Sequence, residues 1–144
     1  MYKHILIAVD FSDITDHVIK RANELARGAH LTLIHVVDYL PPLGFGDDFT
    51  PAPTVLIDEQ MLMDNGARIL KHHAERHHFG PEVDRLVRFG TPRQEIVAAA
   101  DQRAVDLIVI GSHGRHGLRR LLGSTASAVL NDAVCDVLAV RAHG

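Results

Sequence analysis

Short runs of apolar, largely β-branched residues with no wet face constrain this chain most: Ile5 to Val9, Leu31 to Val37, and the Leu107-Ile108-Val109-Ile110 run that follows Asp106. A strand with one face in water alternates apolar and polar residues, whereas a strand covered on both faces is apolar throughout. Between these runs lie segments with helical spacing. Ser12 stands where an N-cap would, ahead of Asp13 and Asp16 in a first turn and of Ile14, Val18, Ala22, Leu25 and Ala26 at helical intervals up to Gly28. From about Val55 to His78, the spacing of Leu56, Met63, Ala67, Leu70 and Ala74 predicts a long helix with Gly66 as a weak point inside it. Thr91-Pro92-Arg93-Gln94 supplies an N-cap threonine, a proline at the first helical position and a glutamine able to close a capping box, ahead of Ile96, Val97 and Ala100. Val83 to Phe89 alternates as an edge strand or a strand with one exposed face does. Ser124 to Leu130 predicts a last helix before the strand Asp136 to Arg141.

The resulting order, β-α-β-α-β-α-β-α-β, predicts an α/β, Rossmann-like five-stranded parallel sheet, strand order 3-2-1-4-5, with helices on both faces. The switch point then falls between the first and fourth strands. Their carboxyl ends, at Asp10 and Gly111, frame the crevice in which such sheets bind ligands. A length of 144 residues, without repeats or low-complexity tracts, reads as one domain over 1–144. A net charge of −3 with mixed signs argues against a nucleic-acid-binding face. Cys135 is the one cysteine, so no disulfide framework can form within the chain, and a reducing compartment fits. The first apolar run is too short for a signal segment or a membrane span, so the expected location is cytoplasmic, with no membrane partner.

The chemistry concentrates after the fourth strand, in Gly111-Ser112-His113-Gly114-Arg115-His116-Gly117-Leu118-Arg119-Arg120-Leu121-Leu122-Gly123-Ser124-Thr125. Glycines let backbone amides approach an anion closely, and the helix start that follows offers unpaired amides at a positive dipole end. Ser124 and Thr125 can add hydroxyl donors, and Arg115, Arg119 and Arg120 add positive charge. The segment lacks the Gly-Lys-Ser/Thr ending of a Walker A loop and the Gly-x-Gly-x-x-Gly of dinucleotide folds. The same glycines could simply make a turn, with Ser124 an ordinary N-cap.

As a set, Gly111-x-x-Gly114 with Gly123-Ser124, the strand end Ala8-Val9-Asp10-Phe11-Ser12, Leu33-Ile34-His35-Val36, Gly90-Thr91-Pro92 and Cys135 to Val140 strongly resemble the universal stress proteins along essentially the whole chain. The pattern resembles that of the nucleotide-binding, glycine-loop branch, which holds ATP or AMP. The resemblance implies an adenosine pocket lined by Ala8, Val9 and Asp10, with the Val36 backbone at the adenine edge and Ile110 nearby. It implies ribose and phosphate contacts from Gly111, Gly114, Gly123, Ser124 and Thr125. Asp10 reads the same way on its own, since a carboxylate at the end of the first strand can accept ribose hydroxyls or reach a metal such as Mg²⁺ through water; the alternative is that it caps the first helix beside Ser12. Eight residues separate Gly114 from Gly123 where the family pattern has nine, which leaves the number of phosphates open. The resemblance also implies a homodimer paired through the last strand, Val137, Leu138, Ala139 and Val140, whose apolar edge invites pairing in any case.

Among eleven histidines, His73 and His77 have ligand spacing, but no third ligand is evident and no metal is assigned. His35 reads as a hydrogen-bonded core residue, and Cys135 is assigned no role. The expected function is an adenine-nucleotide-binding regulatory stress-response protein acting on unidentified protein partners, with turnover slow or absent and no catalytic residue assigned. Two rivals stand beside it: a nucleotide-free dimeric scaffold, and a slow ATPase or nucleotidyl transferase using His113 or His116.

Overall fold

A computed structural model describes residues 1–38, 58–112 and 122–141. In chain order the elements are β1 (His4–Ala8), α1 (Thr15–Ala26), β2 (His30–Val37), α2 (Glu59–Arg76), β3 (Asp84–Phe89), α3 (Pro92–Gln102), β4 (Leu107–Gly111), α4 (Ser124–Asp132) and β5 (Asp136–Val140). The five strands form one parallel sheet in the order β3-β2-β1-β4-β5. The apolar runs occupy its centre: β1 pairs Ile5 with Leu31 of β2 on one side and with Leu107 of β4 on the other. The alternating run, β3, lies at an edge.

Alternate residues of these strands feed two cores. Ile5, Ile7, Leu33 and Val109 pack under α1 and α2 with Val18, Ile19, Ala22, Leu70 and Ala74. Leu6, Ile34, Ile108 and Ile110 pack under α3 and α4 with Ile96, Ala99, Ala126 and Val129. Ile5, Leu6, Ile7, Leu33, Ile108 and Val109 are wholly shut off from water, each contributing about 1.5–3 kcal/mol of burial.

The helix starts differ from expectation. α1 begins at Thr15 with Ile14 at the cap, so Ser12 is not the N-cap. The Ser12 hydroxyl is buried without a hydrogen-bond partner, its carbonyl accepts the Thr15 amide, and its amide is drawn to Asp10 Oδ1 at 3.0 Å. Thr91 does cap α3 with Pro92 at its start, but its side chain makes no capping bond, so the capping box with Gln94 does not form. α2 starts later than the periodicity predicts, at Glu59, because the Asp58 carboxylate accepts the Gln60 amide and fixes the start; Val55 and Leu56 fall outside the described residues. Gly66, the expected weak point, is buried where α2 passes over the sheet. A Cβ there would lie 3.2 Å from a Val87 methyl and 3.3 Å from the His35 ring.

Candidate functional site

The carboxyl ends of β1 and β4 part at the switch point, and a cleft of about 660 Å³, its open mouth included, lies between them and the starts of α3 and α4. That is the position where open parallel sheets bind small molecules. Ala8, Val9, Asp10, Val36, Ile110, Gly111, Gly123, Ser124 and Thr125, expected from sequence to share a site, all line it. Gly114, His113, His116 and the three loop arginines lie outside the described residues. Sequence reasoning missed Ile34, Pro92, Ile96, Ser112 and Ala126, which complete the lining. Ile34 carries a signal, since it shares a face of β2 with Val36; Pro92 signals only a helix start.

The lining divides by chemistry. Ile34, Val36, Ile96, Ile110 and Ala126 are buried and form an apolar slot. Asp10 is exposed at the mouth and is the one carboxylate among the described lining residues. It does not cap α1, which starts five positions later; it closes a tight turn onto the Ser12 amide.

At the opposite wall Gly123, not Ser124, is the N-cap of α4, with extended backbone and no side-chain cap. The first intrahelical bond runs from the Ser127 amide to the Gly123 carbonyl, as helix geometry requires, so the amides of Ser124, Thr125 and Ala126 precede the helical ladder at its positive end. The Gly123 amide is bonded to the Ser112 carbonyl at 2.5 Å, while the Ser112 amide donates to the Val140 carbonyl at 2.8 Å. Ser112, almost fully buried, therefore ties α4 and β5 together at the neck of the loop.

On the other face of the sheet, behind Asp10, lies a second polar cluster. His35 Nδ1 donates to the Val9 carbonyl at 2.8 Å, which bears out its reading as a hydrogen-bonded residue of a buried strand. Phe11 stacks on the His35 ring with centroids 3.8 Å apart, and on His73 at 5.9 Å. Phe11 holds a φ of 60°, a left-handed conformation rare for a bulky side chain. Asp16 of α1 meets His77 Nε2 at 2.9 Å, His73 Nδ1 at 3.4 Å and Arg76 Nε at 3.4 Å. His77 thus fastens α1 to the end of α2, while the buried His73 Nδ1 makes no hydrogen bond, and no group of His, Cys, Asp or Glu among the described residues is arranged to hold a metal ion. Burial works against the Asp16 carboxylate, but the His77 hydrogen bond and the nearby Arg76 hold it below the usual carboxylate range. Burial pushes the His73 imidazole down, favouring its neutral form. Cys135 is half-buried, and burial raises its thiol away from the reactive thiolate.

Residues 1–141 match the model of the universal stress protein family. The chain belongs to the universal stress protein family. It is 38% identical over 146 residues to universal stress protein A homolog 2 of Coxiella burnetii, covering 99% of this chain and 97% of that one. Its fold matches the solved universal stress protein UspA from Lactobacillus plantarum with a TM-score of 0.74 and 29% identity, over 97% of this chain and 98% of the other. It also matches the universal stress protein from Archaeoglobus fulgidus in complex with dAMP, with a TM-score of 0.56 and 25% identity, over 97% and 98% of the two chains. Members of the universal stress protein family thus share this sheet. No helix among the described residues is long and apolar enough to cross a membrane.

Proposed function

We propose that this chain is a regulatory module of stress physiology that binds an adenine nucleotide, ATP or AMP, in the cleft between β1 and β4. The observation that carries the reading is the division of that cleft: an apolar slot, a carboxylate at its mouth, and the open start of α4 opposite. A purine slides between Ile34, Val36, Ile96 and Ile110, ribose hydroxyls donate to Asp10, and phosphate oxygens accept from the amides and hydroxyls of Ser124 and Thr125. Because the Gly123 amide is already bonded within the chain, the phosphate locus lies one residue further into α4 than the glycine itself. The dAMP-bound relative supports the ligand class. Among the described lining residues Asp10 alone offers a carboxylate to a Mg²⁺ ion carried in with the phosphates.

The module works as a homodimer paired at β5. β5 is an edge strand, and Leu130 of α4 and Val134, two residues before β5, are exposed apolar side chains. Val137, Leu138 and Ala139 are half-buried and available to a partner strand, whereas Val140 is already buried within the chain and contributes backbone. The module acts through protein partners rather than by turnover.

Isothermal titration of the nucleotide-stripped protein with ATP, ADP and AMP, with and without Mg²⁺, tests the reading. Saturable heat is expected, and Ser124→Asp, which sets a negative charge against the open amides, is expected to weaken ATP at least tenfold. Absence of heat with every nucleotide, in folded and fully stripped protein, would overturn it in favour of a nucleotide-free scaffold.

A further inference from the structure

We infer that His35, which does not line the cleft, is the positioning residue that sets Asp10 for the ribose from the opposite face of the sheet. This rests on the nucleotide reading above.

Asp10 lies two residues beyond the end of β1, past the last backbone bond to β2 at Val9, and an exposed carboxylate there has no inherent reason to hold one direction. Its two neighbours in the chain supply one. Before it, Val9 is tied to β2 at both of its backbone groups: its amide donates to the Ile34 carbonyl at 2.9 Å, and its carbonyl accepts His35 Nδ1 at 2.8 Å. A carbonyl only accepts, so His35 carries its proton on Nδ1. After Asp10, the Phe11 ring lies 3.8 Å from the His35 ring at an interplanar angle of 27°. That contact holds Phe11 at the positive φ a phenylalanine does not choose unaided. One imidazole therefore fixes the residue on each side of Asp10, through a hydrogen bond to one and a stack on the other.

The ring is itself held. Gly66 lets α2 approach closely enough that a Cβ would meet His35 Cδ2 at 3.3 Å, and His73 of the same helix stacks on Phe11 from further out. With residues 9 and 11 fixed, the Asp10 carboxylate closes onto the Ser12 amide at 3.0 Å and presents its remaining acceptor sites at the cleft mouth. Val9 is the residue common to both sides: buried in the core under α1 and α2, it also lines the cleft.

The test compares AMP with 2′,3′-dideoxy-AMP, which lacks the hydroxyls that Asp10 would accept, by titration against wild type, Asp10→Asn, His35→Leu and His35→Asn. Wild type is expected to favour AMP. Asp10→Asn and His35→Leu should each lose about tenfold in AMP affinity while keeping their affinity for the dideoxy nucleotide. His35→Asn, whose amide nitrogen replaces Nδ1 as a donor, should recover part of that loss. Phe11→Gly, at a position whose φ suits glycine, should reproduce the ribose-specific loss even where His35→Leu folds poorly. A role confined to packing would weaken both nucleotides equally, and that result would overturn the inference, as would wild-type affinity in His35→Leu. Equal wild-type affinity for the two nucleotides would also overturn it.

If wild type binds neither nucleotide, it is the nucleotide reading that fails. Positioning is then read from hydrogen exchange at the Ser12 amide, which should rise at least tenfold in His35→Leu with the β1 amides unchanged. An unchanged Ser12 amide would overturn the inference on that ground too.

Discussion

Single residues in this chain hold the ends of strands. Asp106, just before β4, accepts the amides of Lys3 at 2.9 Å and His4 at 3.0 Å and so ties the entry of β1 to that of β4. Those two amide bonds hold its carboxyl below the ordinary aspartate value of 3.8. A carboxylate with a lowered folded value stabilises the fold above its unfolded value, and the contribution is lost as the pH falls through the folded one. Asp106→Asn is therefore expected to cost about 1 kcal/mol at pH 7, on a partly exposed site, and progressively less as the pH drops below 3.8. Urea unfolding of both proteins at pH 7 and in steps downward from pH 4 measures this; a difference that stays constant across the series would contradict it.

Elements were the best-read scale, because a strand covered on both faces must be apolar throughout and that demand is written locally. Ile5 to Val9 and Leu107 to Ile110 could hardly be anything but central strands, and the order 3-2-1-4-5 followed from their alternation with helices. Helix ends were less legible. Ser12 and Thr91 are the right residue types for capping, yet whether a side chain reaches an amide depends on backbone angles that residue type does not encode. The candidate site divides similarly: Ala8, Asp10, Gly111 and Ser124 stand at element boundaries and could be named, whereas Ile96 and Ala126 reach the cleft only because α3 and α4 lie on one face of the sheet.

Helix exits were not foreseen either. α2 and α3 close alike, with Phe79 and Val105 amides donating back to Ala74 and Ala100, and with His78 and Ala104 in the left-handed conformation usually left to glycine. Ala104 is exposed with φ 53°, so Ala104→Gly removes a steric cost and adds only chain entropy to the unfolded state. A net gain of about 0.5 kcal/mol is expected in denaturant unfolding, and a loss would show that the α3 exit is held by other forces.

At the scale of the whole molecule, the proposed nucleotide and the proposed partner subunit occupy different places, the cleft at the middle of the sheet and the β5 edge, with Ser112 between them. Its amide goes to Val140 at the end of the edge strand, and its carbonyl goes to Gly123 at the head of α4. One nearly inaccessible residue thus has no way to follow β5 without also disturbing the entrance of the cleft. Thermodynamics makes such a connection symmetrical: if filling the cleft tightens pairing by some factor, pairing tightens the cleft by the same factor. The dimer dissociation constant, followed by sedimentation with and without saturating nucleotide, is expected to shift, and the nucleotide affinity of dilute against concentrated protein should shift by an equal ratio. A molecule so wired would register its own abundance and the nucleotide supply as one signal, each setting the threshold at which the other is felt.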